Sequence, residues 1–239
     1  MAPGMANTSH APVVLNPLTP IGLRDADSAR ARTLAYALFS NLLASPFDAK
    51  VSYALHDLVQ QLADTTHVLP FTFDLSDVED AAKAFDDADM GLIRRQYSGL
   101  FEVGSDGPPV PLRAELVRTN ESVAKEEIIR FYEHFNYALN PSFQWAPDHL
   151  SILLEFVQTL AHQESAAADA RALLSLQLAQ RDFVARHIAD WMPGVMDRLS
   201  RNAQQSSFFG AVVTALNRFI RADLAWQNQS LDASVEGAR

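Results

Sequence analysis

The sequence predicts an all-α fold, arranged as a single compact bundle of roughly nine to eleven helices. Apolar residues recur with the period of an α-helix along most of the chain. No segment shows sustained alternation of apolar and polar residues, and no hairpin turn joins two β-branched runs. The chain has 239 residues, of which 48% are hydrophobic, so it can bury a core without disulfides or structural metals.

In the first part of the chain, helices are predicted from apolar stripes and from helix-breaking residues at their ends. The first stripe ends at Pro46 and consists of Ala31, Leu34, Ala35, Leu38, Phe39 and Leu42. A second helix is predicted over residues 50–63. The acidic segment 71–90 predicts a short helix with a solvated face, and residues 92–101 predict the next helix.

A stiff loop separates these helices from the rest of the chain. Residues 104–111 contain three prolines and two glycines, which predict a non-helical connection. Further apolar stripes then predict helices over residues 121–139, 147–162, 167–191 and 206–226. The second of these stretches begins with Pro147, and proline is tolerated in the first turn of a helix, so the sequence places a helix start there.

The elements predict one helical domain, residues 25–227, between two tails. Residues 1–24 are predicted to form a flexible N-terminal tail, and residues 228–239 a frayed C-terminal tail. The first tail contains no apolar run that matches a signal-peptide core. No stretch reaches the roughly 18 apolar residues that span a membrane, so we expect a cytoplasmic protein without membrane insertion.

Composition excludes several classes of site and partner. The chain has no cysteine, which excludes disulfides, thiolate metal sites, iron–sulfur clusters and cysteine nucleophiles. Its formal net charge of −10 argues against nucleic acid as a partner, because phosphate backbones are bound by clustered Lys and Arg. The same charge suits a positively charged partner, such as an arginine-bearing leader peptide.

Motifs for nucleotide, zinc or acyl-transfer chemistry are absent from the sequence. The glycines at 104 and 107 lack the spacing and the Lys-Ser/Thr pair of a phosphate-binding loop. No two of the seven histidines have the i, i+4 spacing of a zinc-binding helix. No Gly-x-Ser-x-Gly nucleophile elbow occurs.

One constellation of polar residues remains, at the predicted helix start near residue 147. In a helix, Asp148 and Glu155 would lie on one face, with His149 beside them and Asp148 near the positive end of the dipole. A structural interpretation is an ordinary helix start with a half-buried, hydrogen-bonded histidine. The functional interpretations are an acid–base pair or an anionic clamp for a basic peptide. The absence of a nearby metal or electrophile motif favours the clamp.

Four segments, in this order, resemble the TorD/DmsD/NarJ family of redox-enzyme maturation chaperones. They are the helix over 32–46, the Tyr97-Ser-Gly-Leu-Phe101 motif, the Trp145-Ala-Pro-Asp-His-Leu150 motif continuing to Phe156, and the region from His187 to Pro193. The loop after Phe101 is most similar to the branch that serves type II enzymes of the dimethyl sulfoxide reductase family.

The resemblance implies a TorD-like helical fold, no catalysis, and no stably bound cofactor or metal. It implies binding to the apo catalytic subunit of a molybdoenzyme and its twin-arginine leader, until the molybdenum bis(guanine dinucleotide) cofactor is inserted before export. It leaves open whether the chaperone is a monomer or a homodimer. The partner-binding residues it implies are Tyr97, Leu100, Phe101, Pro147, Asp148, His149 and Glu155. Ala146 departs from the glutamate that the family often has there, which removes one charge from the clamp.

Alternatives stay open at this point. A helical adaptor or regulator unrelated to molybdoenzymes would have no such client. A helical metal-dependent enzyme would use Asp148, His149 and Glu155 as acid, base or ligands. The 97–101 motif also has a structural interpretation, in which its apolar residues belong to the core and hold the glycine–proline loop.

Overall fold

A computed structural model of the chain describes residues 26–47, 55–83, 90–102, 104, 107–117, 121–141, 146–202 and 208–236. The helices in this part of the chain are α1 (Ala26–Leu43), α2 (Leu55–Thr66), α3 (Ser76–Ala82), α4 (Met90–Phe101), α5 (Glu121–His134), α6 (Leu150–Ser165), α7 (Ala170–Val184), α8 (Met192–Arg201) and α9 (Phe208–Glu236). A 3₁₀ turn at Ala114–Leu116 precedes α5, and a π-helical segment at Ala185–Ala189 follows α7. The described residues form no strand, which confirms the predicted all-α class. The tail predicted for 1–24 lies outside them.

Helices α1 and α6 form the centre of the bundle. Helix α1 also contacts α2, and the long α9 packs against α3, α7 and α1. One aromatic cluster surrounds Phe219 of α9 and includes Tyr36, Phe39, Phe71 and Phe73. A second surrounds Phe156 of α6 and includes Phe131, Tyr132, Tyr137 and Phe183. These rings fill the spaces between the helices that they join.

An ionic network is buried where α1, α6, α7 and α9 meet. The Arg32 side chain is 1% exposed, and its Nε donates to Asp223 Oδ1 at 2.5 Å. The same guanidinium donates to Glu164 at 3.0 Å and to Gln180 at 2.8 Å. Burial disfavours the charged form of Arg32, but Asp223 and Glu164 outweigh this effect and raise its pKa. The network therefore fixes the register of four helices through polar contacts that depend on one another.

Helix α6 begins at Leu150, so the predicted helix start at Pro147 is wrong. The residue before the helix, His149, has extended dihedral angles and forms an isolated β-bridge with Arg113. The Leu150 N–H donates to the Leu112 carbonyl at 2.7 Å. These contacts hold the chain in an extended conformation against the loop 107–117, so Pro147 precedes the helix.

The C-terminal helices differ from the prediction at two places. The predicted helix over 167–191 is divided into α7 and the π-helical segment, after which Trp191 is buried and donates to the His187 carbonyl at 2.6 Å. Helix α9 continues to Glu236 rather than ending at Trp226. Gln227 explains the extension in part, because its side chain is 1% exposed and donates to Asp223 at 2.7 Å. Gln227, the last residue of the predicted helical domain, thus belongs to the core.

Candidate functional site

A pocket of about 340 Å³ opens where the ends of α1 and α4 meet the loop 107–117 and the start of α6. Three predicted site residues, Tyr97, Phe101 and His149, line it. Its other apolar lining comes from Ala44, Pro108, Leu112, Leu116 and Ala146. The fold thus brings two of the sequence motifs, which are about fifty residues apart in the chain, to one cavity.

The aromatic motif at the end of α4 forms one wall of the pocket. Tyr97 is 2% exposed, and its hydroxyl donates to the Leu43 carbonyl at 3.1 Å. Its ring meets the Phe101 ring edge-on, with the centroids 5.0 Å apart. Leu100 is fully buried, and its carbonyl accepts the Val110 N–H at 2.9 Å. The motif therefore packs in the core and holds the proline-rich loop, while Tyr97 and Phe101 also face the cavity.

The turn before α6 forms the opposite wall. Ala146 is 1% exposed and lines the pocket, and its carbonyl accepts the His149 N–H at 3.1 Å. Pro147 is buried, and its carbonyl accepts the Tyr132 hydroxyl of α5 at 2.8 Å. Trp145, which completes the sequence motif, lies outside the described residues. The turn is therefore anchored by backbone acceptors and by a buried tyrosine.

Asp148 is buried and paired within the protein. It is 1% exposed, and its Oδ2 accepts the Glu115 N–H at 2.9 Å. Its Oδ1 lies 3.5 Å from Nε of Arg113. Because α6 begins after it, Asp148 does not occupy the first helical turn. The prediction that Asp148 and Glu155 share one face of a helix is therefore wrong.

His149 is the N-cap residue of α6. Its Nδ1 accepts the Ser151 N–H at 3.3 Å and lies 2.8 Å from the Ser151 hydroxyl oxygen. Burial lowers the pKa of His149 to about 4; nearby Asp148 opposes the shift, whereas Arg113 adds to it. The imidazole is therefore neutral at pH 7 and caps the helix as a hydrogen-bonding group.

Glu155 lies apart from the pocket, on the exposed side of α6. It accepts a hydrogen bond from the Tyr137 side chain. Desolvation raises the pKa of Glu155, and the bond from Tyr137 opposes that shift. The structure thus groups six of the seven predicted residues around or directly behind the pocket walls and leaves Glu155 outside.

Charged residues that no sequence motif indicated support the pocket. Arg113 lines it and pairs with both Asp148 and Glu115, and Lys125 of α5 pairs with Glu115. The Arg-Ala-Glu sequence directly after the proline-rich loop is a local signal for an opposite-charge pair. Its link to Asp148 has no local signal, because the two segments meet only through the fold.

The described residues contain neither a candidate metal site nor a membrane-spanning helix. Among the described residues, no group of three or more His, Asp or Glu side chains could hold a metal ion. In that same part of the chain, every helix is too short or too polar to cross a membrane.

Three relatives carry names that describe reductase assembly. The chain is 35% identical over 143 residues to the chlorate reductase assembly chaperone protein of Ideonella dechloratans, a match that covers 57% of this chain and 72% of the relative. It is 32% identical over 145 residues to the selenate reductase assembly chaperone protein of Thauera selenatis, covering 58% and 74%. It is 34% identical over 100 residues to the perchlorate reductase assembly chaperone protein of Dechloromonas aromatica, covering 41% and 44%.

The family assignment rests on a longer match than any one motif. The sequence profile of the nitrate reductase delta subunit family matches residues 45–197. This range contains the aromatic motif of α4, the loop 107–117 and the start of α6, and so includes almost the whole pocket. The chain therefore belongs to the nitrate reductase delta subunit family, as its resemblance to redox-enzyme maturation chaperones predicts.

Proposed function

We propose that this chain is a system-specific assembly chaperone of a molybdoenzyme. Its family and the three relatives named as reductase assembly chaperones support the proposal. The client is the immature catalytic subunit, together with its leader. The chain binds this client in the cytoplasm and holds it until the molybdenum bis(guanine dinucleotide) cofactor is inserted before export. The cofactor belongs to the client, and the chain has no catalytic role.

The observation that carries the proposal is the pocket between α4 and α6. Its volume of about 340 Å³ is within the range of recognition sites in proteins. Leu116, which lines the pocket, is 41% exposed. A large apolar side chain that is exposed at an apolar pocket forms a surface suited to an incompletely folded partner.

Differential binding gives this surface a chaperone function. An immature client presents apolar segments that the pocket and its rim can cover. When the client folds around its cofactor, those segments become buried in the client itself, and the affinity for the chaperone falls. The chain therefore needs no energy source, because it binds one folding state of the client more tightly than the other.

The polar groups near the pocket are arranged for structure and binding rather than for acid–base chemistry. His149 is neutral and caps a helix, and Asp148 is buried against Arg113 and Glu115. Glu155 lies outside the pocket. A general acid and base must both reach the reacting group, and these three residues do not share one cavity. This geometry supports the chaperone over the alternative of a helical enzyme.

A deletion strain tests the proposal. Cells that lack this chain, grown under conditions that induce the client, should accumulate a catalytic subunit poor in molybdenum and inactive, and the full-length chain should restore both. A fully loaded, active client in the deletion strain would contradict the proposal and favour an adaptor function. Stoichiometric metal in the purified chain would favour the enzyme alternative.

A further inference from the structure

The region from His187 to Pro193, the last of the four segments that carry the family resemblance, leads into helix α8. The structure describes all of these residues, and none of them lines the pocket. Trp191, directly before α8, is 2% exposed, and its indole N–H donates to the His187 carbonyl at 2.6 Å. Pro193 lies in the first turn of α8, where its fixed φ favours a helix start. The region therefore fixes where α8 begins, so α8 is the route by which it can act on the pocket.

The turn before α6 holds the middle of the loop 107–117. The Leu112 carbonyl accepts the Leu150 N–H at 2.7 Å. The Glu115 N–H donates to Asp148 Oδ2 at 2.9 Å. These two bonds fix the loop as far as residue 115, and a different element holds the residues that follow.

Helix α8 holds the end of the loop. Nη2 of Arg198 donates to the Leu116 carbonyl at 2.9 Å. Four residues earlier, Gly194 lies so close to Val117 that an added Cβ would be 2.5 Å from the valine Cγ1. Residues four apart share one face of a helix, so a single face of α8 makes both contacts. Because Leu116 lines the pocket and is 41% exposed, α8 supports the exposed part of the pocket wall.

We infer that Gly194 and Arg198 are positioning residues, which set the place of Leu116 in the pocket wall and so control client binding from outside the pocket. The inference rests on the proposed function and adds α8 to the supports of the pocket. A larger side chain at 194 would push α8 and the loop apart, because the β-branched Val117 has few rotamers with which to turn away. The hydrogen bond from Arg198 then fixes the main chain of the loop end against the same face.

A label on the loop tests the inference without the client. The chain has no cysteine, so one introduced cysteine can carry a nitroxide at a chosen position. Leu116→Cys places the label on the loop end, and Leu34→Cys places it on α1, where the native leucine is also 41% exposed. Adding Arg198→Met to the full-length chain should shorten the rotational correlation time of the label at 116 in electron paramagnetic resonance and leave the label at 34 unchanged. Methionine keeps the length of the side chain but cannot donate to the carbonyl, so equal spectra at 116 with and without this change would overturn the inference.

Capture of the client tests the same residues in function. Tagged full-length variants would be purified from the native cells under client-inducing conditions, and the co-purifying molybdoenzyme catalytic subunit quantified by mass spectrometry. Gly194→Ala should lower recovery about threefold or more, and adding Val117→Ala should restore it, because the smaller side chain makes room for the new Cβ. Arg198→Met should also lower recovery about threefold or more. Arg201→Met is the matched control and should equal the wild type, because Arg201 pairs with Asp197 of its own helix.

Stability measurements separate positioning from a merely structural role. Urea unfolding should give Arg198→Met and Arg201→Met similar midpoints, since both side chains make exposed contacts, while client recovery differs between them. Recovery that only follows the urea midpoint would contradict the positioning role.

The outcomes also distinguish this inference from the proposed function. If the wild type captures the client and Gly194→Ala or Arg198→Met captures it equally well, the inference is wrong and the chaperone function stands. Failure of Val117→Ala to restore capture by Gly194→Ala would likewise overturn it. If the wild type captures no molybdoenzyme subunit, the proposed function fails, while the label at 116 still shows whether α8 holds the loop.

Discussion

Replacement of Asp223 by asparagine tests the buried ionic network of α1, α6, α7 and α9. Asp223 is fully buried and accepts hydrogen bonds from Arg32 at 2.5 Å, Tyr36 at 2.6 Å and Gln227 at 2.7 Å. Asparagine keeps the size of the side chain but removes the charge that balances Arg32, and it replaces one acceptor oxygen with a donor. Removing one member of a buried ion pair costs about 3–5 kcal/mol. For a domain of this size that corresponds to a fall in Tm of roughly 6–20 °C.

Equilibrium unfolding in urea at pH 7, followed by tryptophan fluorescence and circular dichroism, would measure the loss. The midpoint should move to lower urea while the slope stays constant, because the surface exposed on unfolding is unchanged. Asp197→Asn is the matched control: Asp197 pairs with Arg201 at 2.5 Å, but both side chains are more than half exposed. It should cost no more than about 0.5 kcal/mol. A loss for Asp223→Asn as small as that of the control would refute the role assigned to the network.

Three further predictions concern the pocket walls. Tyr97→Phe removes the hydrogen bond to the Leu43 carbonyl and should lower the free energy of unfolding in urea by about 0.5–1.5 kcal/mol. The amount of client that co-purifies should be unchanged, because the ring remains. A reduced amount of client at equal stability would instead place the hydroxyl against the client. The free energy of unfolding should decrease as the pH falls from 6.5 toward about 4, because the pKa of His149 is lowered in the folded state and the unfolded chain then binds more protons. His149→Gln should reduce this dependence of stability on pH. Equal pH dependence of the variant and the wild type between pH 7 and 5 would contradict the lowered pKa. Asp148→Ala should cost about 1–3 kcal/mol, because it leaves the partly buried Glu115 N–H and Arg113 without that carboxylate, whereas exposed Glu155→Ala should cost about 0.5 kcal/mol or less. Similar losses in parallel urea titrations would contradict the burial difference.

Helical periodicity predicted the elements well where a single face of the helix is buried. In α1, five of the six residues of the predicted stripe are buried, and Leu34 is the exception at 41% exposed. Periodicity places a residue on a helix but does not determine how wide the buried face is, which depends on the neighbouring helices. The same limit explains Arg32, a charged residue on α1 that is buried because Asp223, 191 positions away, accepts its hydrogen bonds.

The sequence motifs pointed to residues that the fold brings together, for a related reason. Tyr97, Phe101 and His149 line the pocket, and Leu100 and Pro147 are buried directly behind its walls. That these residues bind a partner stays a prediction. The anionic clamp on one helix face depended on a helix that began at residue 147. The loop 107–117 prevents that start by pairing with the residues before α6, a long-range contact with no signal in local sequence.

The most direct test of the central claim is to purify the tagged full-length chain from its native cytoplasm under client-inducing conditions and identify the co-purifying proteins by mass spectrometry. The account predicts a molybdoenzyme catalytic subunit that is poor in cofactor and still carries its leader. Recovery of an unrelated partner, or of none while the client is abundant, would contradict it.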